Sequence, residues 1–180
     1  MTVLDRIDKA AAKKGKGVET LWQFVKFIVV SLGAFVIQLF LPLLIKLFMT
    51  DAFEQHPYDI LGIFKSSIDA KTGLVLGLGI FIAANVSNII AQIVSFFINR
   101  EKTFNSSANI AVTLPIYIVF TVALIIFSAW LSTKLIPAFT TLIGSDDAAM
   151  TISGAICGAV QFFLYFPVDK ILFHKKKEEK

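Results

Sequence analysis

Asn85, Asn88, Gln92, Ser95 and Asn99 follow one another at steps of three, four, three and four, and at about 100° per residue that spacing confines them to one stripe of a helix. Amides among apolar neighbours are costly unless each finds a partner or water. Two readings stay open. In one, the amides bond to neighbouring helices at roughly 0.6–2 kcal/mol each. In the other, they line a hydrated path for a polar group, and five polar positions on one face exceed what a single helix contact needs. Gln38 is a third wall for such a path, and Gln161 and Tyr165 continue a similar, smaller stripe through Thr151, Gly154 and Gly158. Arg100 follows Asn99 directly and carries a planar fork that can hold a phosphate by two hydrogen bonds. Lys102 and Lys170 are the cations that join it in an anion site, while Glu101 competes for the same fork.

Other chemistries are poorly supplied. His56 and His174 fall in different flanks of the apolar segments, and the single cysteine, Cys157, lies inside one of them. A metal site, a disulfide framework and a Cys/His nucleophile are therefore not expected, nor is any cofactor. Cys157 behaves as a small packing residue.

The elements that must position these residues follow from composition. Of 180 residues, 56% are hydrophobic and 17% charged, against roughly 45–50% and about 25% in soluble domains. No charge lies between Lys26 and Lys46, Thr72 and Asn99, Thr103 and Thr133, or Ala148 and Val168. About 20 such residues cross a bilayer. An all-α membrane protein is expected, with four transmembrane helices near residues 24–48, 74–99, 110–133 and 148–172. Pro42 kinks the first and Pro167 distorts the end of the fourth. What remains outside is too short for a soluble catalytic domain, so no enzyme is expected.

Residues 1–23 form a cytoplasmic amphipathic arm: Val3, Leu4, Ile7, Ala10 and Ala11 recur at helical spacing opposite Arg6, Lys9 and Lys13, the pattern of an interfacial helix. Trp22, Phe24 and Phe27 follow at headgroup level. Residues 24–174 are the membrane domain, and 175–180 a basic cytoplasmic tail. In the long outer loop, Ile60, Leu61, Phe64 and Ile68 mark a second short interfacial helix, an anchor or a lid. Thirteen of the 17 basic residues fall on one side, leaving Lys46, Lys65, Lys71 and Lys134 on the other. Both termini are thereby assigned to the cytoplasm of a multi-pass plasma-membrane protein, and a nucleic-acid partner is not expected.

The short basic link at Arg100 and Lys102 makes spans one and two, and three and four, two similarly oriented hairpins. An offset of 66 residues aligns Ala83 with Ala149, Ser87 with Ser153, Ile90 with Ile156, Val94 with Val160, Phe96 with Phe162 and Phe97 with Phe163. Such parallel repeats build small transporters. Gly154-x-x-x-Gly158 and Gly73-x-x-x-Gly77 permit close packing in the structural reading. No ionisable residue lies near the middle of a span, which argues against proton-coupled export of the multidrug type.

The segment Ser95-Phe96-Phe97-Ile98-Asn99-Arg100-Glu101-Lys102-Thr103-Phe104 resembles the signature of the GtrA-like family of small four-span membrane proteins. Phe24-Val25-Lys26-Phe27 with Ser31-Leu32-Gly33 is similar to the family's opening, and Gln161-Phe162-Phe163-Leu164-Tyr165 up to Phe173 to its repeat. Gln38 stands where many relatives have Asp, and Phe166-Pro167-Val168 interrupts the second copy. The resemblance implies a flippase for a polyprenyl-phosphate-linked monosaccharide, serving glycosylation of surface polysaccharide or teichoic acid. Alternatively it implies a non-catalytic partner that stabilises a membrane glycosyltransferase. Lipid-linked sugar, membrane lipids and such a glycosyltransferase are the implied partners. A homodimer is expected because four helices barely enclose a path.

Overall fold

A computed structural model of the chain describes residues 3–69 and 73–173. Lys71, His174 and the tail 175–180, placed above by side or flank, lie outside the described residues. Helix α1 (Val3–Lys13) stops at Gly15, whose φ of 109° is open only to glycine without strain. Helix α2 (Lys16–Lys46, 31 residues) runs unbroken through Pro42. At about 1.5 Å per residue it is longer than the roughly 30 Å hydrocarbon layer. The expected boundary at 23/24 therefore falls inside one continuous helix.

The loop between α2 and the second long helix corrects an expectation. Instead of an interfacial helix, Ile60, Leu61, Phe64 and Ile68 sit in two tiny antiparallel hairpins, β1 (Asp59–Ile60) with β2 (Phe64–Lys65) and β3 (Ser67–Ile68) with β4 (Val75–Leu76). Positions 60, 64 and 68 lie an even number of residues apart, so they satisfy a strand's period of two as well as a helix's. Turn chemistry decides between them. Leu61 and Gly62 both have positive φ, 56° and 68°, and Asp59 Oδ1 accepts from the Gly62 N–H at 2.8 Å, which is the geometry of a primed hairpin turn. The short helix α3 (Asp51–Glu54) precedes this loop, with Glu54 paired to Lys46 at 3.0 Å.

Helix α4 (Leu78–Ile98) begins later than expected because Val75 and Leu76 are in the sheet. Its start is pressed against α3: a Cβ on Gly77 would come within 2.5 Å of the Gln55 carbonyl carbon and the Glu54 carbonyl oxygen. Gly154 and Gly158 are different, since a Cβ on either meets nothing within 4 Å. The close packing expected of that glycine pair is absent within the chain. Gly77→Ala should therefore cost about 1–3 kcal/mol by overpacking, whereas Gly154→Ala should be neutral or stabilising through helix propensity. Denaturant unfolding in detergent micelles checks both; equal effects would contradict the assignment.

After Ile98 the chain makes one π-helical turn (Asn99–Thr103), closed by the Phe104 N–H donating to the Asn99 carbonyl at 2.9 Å. Helix α5 (Ile110–Ile143, 34 residues) starts on Asn109, whose side chain accepts from the Ala111 N–H, and ends on Gly144 at φ 72°. It is about ten residues longer than the span predicted from hydropathy, and passes through Pro115 and Pro137. The expected link between spans three and four thus shrinks to Gly144 and Ser145. Helix α6 (Asp146–Leu172) continues through Pro167 to the end of the predicted span.

Helix α2 packs chiefly on α4, and α5 on α6. Burial follows a step of four along α4 (Gly79, Ala83, Ser87, Ala91, Ser95) and α6 (Ala149, Ser153, Cys157), so small side chains bring the helices close. At one end an aromatic core gathers Phe27, Phe96, Phe104, Tyr117, Tyr165 and Phe173. Phe27 is buried in it, with its ring 5.1 Å from that of Phe162 and 5.4 Å from that of Phe166.

Candidate functional site

Between the two helix pairs lies a cavity of about 310 Å³. Ser31 and Gln38 of α2, Gln92 and Ser95 of α4, Tyr117 of α5, and Gly158, Gln161 and Tyr165 of α6 give it polar atoms on every side, and Phe27, Leu32, Phe35 and Phe162 supply apolar wall. The amides and tyrosines among them are also tied to neighbours. Gln38 Nε2 donates to Asn88 Oδ1 at 3.1 Å, and the Tyr117 hydroxyl to Gln92 Oε1 at 3.1 Å. Gln161 Nε2 donates to Ser128 Oγ at 2.7 Å, and the Tyr165 hydroxyl to Thr121 Oγ1 at 3.0 Å. The bonds hold the amides in fixed positions. Each amide keeps donor and acceptor capacity beyond these bonds.

Of the eight residues expected along a polar path, Gln38, Gln92, Ser95, Gln161 and Tyr165 line this cavity. Asn88 stands behind it as the acceptor for Gln38. Asn85 Nδ2 donates back to the Phe81 carbonyl of its own helix at 2.8 Å and does not reach the cavity. Asn99 sits below it in a separate buried cluster. The single stripe therefore divides along the helix axis, since Asn85 and Asn99 are about four turns, roughly 21 Å, apart.

Asn99 is fully buried and holds a carboxylate that the sequence analysis passed over. Its Nδ2 donates to Asp169 Oδ2 at 2.9 Å, and its Oδ1 accepts from the Thr103 hydroxyl at 2.8 Å. Asp169 is 0% exposed, and its Oδ1 has no hydrogen-bond partner. Asp169 lies outside the uncharged run and next to Lys170, so sequence reasoning classed that end of the helix as a rim. A better signal was available. At an offset of 70, Asn99-Arg100 aligns with Asp169-Lys170 and Phe96 with Phe166. The ring pairs around it are reciprocal, Phe96 with Phe173 at 5.1 Å and Phe166 with Phe104 at 6.1 Å. Phe104 is five residues from Asn99 and Phe173 four from Asp169, and the π turn absorbs the extra residue. Its counterpart is an ordinary α turn, Phe173 N–H to the Asp169 carbonyl at 2.8 Å. The residues that meet are thus one helical turn away from the offset of 66.

The expected phosphate ligands are dispersed. Arg100 Nε and Nη2 both donate to the Ala108 carbonyl, at 3.0 and 2.8 Å, so the fork grips the link between α4 and α5 and not Glu101. The Lys102 side chain is exposed, while its carbonyl accepts from Lys26 Nζ at 2.6 Å. Lys170 Nζ donates to Thr20 Oγ1 at 2.7 Å. Lys16 and Lys170 border a second cavity of about 250 Å³ between the start of α2 and the end of α6. Cys157 is buried and 3.4 Å from Ser132 Oγ. Among the described residues no three of His, Cys, Asp and Glu gather as metal ligands.

The arm is clamped to this end of the bundle by Asp8. Its carboxylate accepts from Trp22 Nε1, from Lys26 Nζ at 2.9 Å and from Asn105 Nδ2 at 2.7 Å. Burial pushes the Asp8 carboxyl up, but the bonds from Lys26, Asn105 and Trp22 and the Lys26 charge outweigh it and hold it below its ordinary value. The stabilisation is then fully present above the ordinary carboxylate range and lost as pH falls through the lowered folded value. A spin label at Lys13→Cys should be immobile at neutral pH and become mobile on acidification. Asp8→Asn should be mobile throughout, and a pH-independent spectrum in the unaltered clamp would contradict this.

Four helices long and apolar enough to cross a bilayer, Lys16–Lys46, Leu78–Thr103, Ile110–Ile143 and Ala148–Leu172, define a multi-pass, predominantly helical membrane protein. No family model, curated protein or solved structure matches the chain.

Proposed function

We propose that the chain is a flippase of the GtrA-like kind, moving a polyprenyl-phosphate-linked monosaccharide across the plasma membrane for glycosylation of surface polysaccharide or teichoic acid. The observation that carries this reading is the cavity of about 310 Å³ between the helix pairs, whose mostly apolar wall is interrupted by Gln38, Gln92, Gln161 and Tyr165. It lies at the lower end of the roughly 300–1,000 Å³ typical of small-ligand sites, enough for one sugar ring. Gln38, Gln92, Gln161 and Tyr165 replace water around the hydroxyls, and the prenyl tail stays in lipid. Lys102 and Lys170, with Lys16 beside the second cavity, receive the phosphodiester at the cytoplasmic rim. Arg100 adds charge there and stiffens the link it grips.

Two similarly oriented hairpins, both termini in the cytoplasm and a homodimer complete the reading. The reciprocal ring pairs around Asn99 and Asp169 support the repeat, and the distribution of Lys and Arg supports the sidedness. Native mass spectrometry of the purified protein tests the ligand. Polyprenyl-phosphate hexose should be retained in preference to bare polyprenyl phosphate, and Gln92→Leu should erase the preference. Equal retention of both lipids would contradict a sugar site. Co-purification with a glycosyltransferase that needs this chain, without flipping by the chain alone, would favour the accessory role instead.

A further inference from the structure

Asp169 is a buried carboxylate that the proposed path does not use. It is 0% exposed, one carboxylate oxygen is held by Asn99 at 2.9 Å, and the other has no hydrogen-bond partner among the described residues. Among the described residues, the buried and half-buried cations at this end of the bundle are engaged elsewhere. Lys26 of α2 bonds to Asp8 and to the Lys102 carbonyl, and Arg100 to the Ala108 carbonyl. Lys170, next along α6, bonds to Thr20, and Glu101 and the Lys102 side chain are exposed. The hydroxyls facing the carboxylate, those of Tyr117 and Tyr165, donate to Gln92 and Thr121. Among the described residues Asp169 makes no ion pair.

A carboxylate so enclosed is not tolerated with its charge uncompensated, so a cation must reside on it. Asn99 ties Ser95 and Thr103 to the same cluster: its Nδ2 also donates to Ser95 Oγ at 3.4 Å, and its Oδ1 accepts from the Thr103 hydroxyl at 2.8 Å. The π turn that carries Asn99 is the kind of local departure from α geometry found at functional sites and beside coupling ions in transporters.

We propose that Asp169 is the binding site of a monovalent cation, a proton or Na⁺, whose uptake and release drive the transport proposed above. A proton bonds to Oδ1 directly; Na⁺ sits between Oδ1 and the neighbouring oxygens. Either leaves the cluster neutral. This inference rests on the flippase reading for its role, but the site itself is measured independently.

The purified full chain is compared with Asp169→Asn, which keeps the shape and can still accept from Asn99. In the proton arm, raising the pH should remove the infrared C=O band of a protonated carboxylic acid in the wild type, a band absent from the variant. In the Na⁺ arm, NaCl should raise the thermal midpoint of the wild type above that in choline chloride, with no shift in the variant. Neither effect in the wild type overturns the site, whether or not the variant folds. In vesicles, a gradient of the cation identified should speed flipping of polyprenyl-phosphate hexose several-fold in the wild type and not in the variant. Flipping indifferent to the gradient overturns the coupling. Cation binding with no flipping at all overturns the flippase reading and leaves the site standing.

Discussion

Asn99→Ala is expected to destabilise the protein by about 3 kcal/mol, a large effect for the truncation of one polar side chain. The amide is the hydrogen-bond partner of Asp169 Oδ2 and the acceptor for the Thr103 hydroxyl, and all three side chains are buried. A net hydrogen bond is worth about 0.5–1.5 kcal/mol, and leaving its buried partners unsatisfied costs about 1–3 kcal/mol more. The truncation also opens a cavity at a fully buried position. Asp169→Asn should cost less than half as much, because the Asn99 Nδ2 can still donate to an amide oxygen. Denaturant unfolding in micelles reads both. An Asn99→Ala variant within about 0.5 kcal/mol of wild type, the scatter of neutral surface changes, would mean that the cluster does not hold the helix ends together.

The second large effect concerns transport and leaves stability nearly untouched. Gly158 lines the cavity, and a Cβ there meets nothing within 4 Å, so Gly158→Phe places a ring into the open space without displacing backbone. Flipping should fall more than tenfold, equivalent to about 1.4 kcal/mol on the barrier. The thermal midpoint should stay close to wild type. Gln161→Leu should also slow flipping, but at a stability cost, since Gln161 bonds to Ser128 across the α5–α6 interface at 2.7 Å. A Gly158→Phe protein that flips at the wild-type rate would show that the headgroup does not pass this cavity.

Much of the architecture was legible because four apolar runs leave few alternatives, and the amides stood out against them. The ends of the elements were not. Hydropathy placed the close of span three near Thr133, yet the α5 helix continues to Ile143, since Lys134 and Pro137 end an apolar run without ending a helix. The loop between α2 and α4 was misassigned because Ile60, Phe64 and Ile68 fit both periods, and only the backbone at Leu61 and Gly62 separates them. Asp169 was overlooked for a related reason. A carboxylate beside a lysine at the end of a span looks like a rim charge, and its burial depends on Asn99, seventy positions earlier. Arg100 was assigned a phosphate because its fork suits one. The Ala108 carbonyl that takes the fork is a backbone group, invisible to side-chain reasoning.

Passage of a sugar headgroup between the two helix pairs is measured by following transbilayer movement of a polyprenyl-phosphate hexose in vesicles reconstituted with the wild-type chain, with Gly158→Phe and with no protein. Movement well above that in empty vesicles is expected for the wild type, and near the empty-vesicle rate for Gly158→Phe. Wild-type movement no faster than in empty vesicles would contradict it.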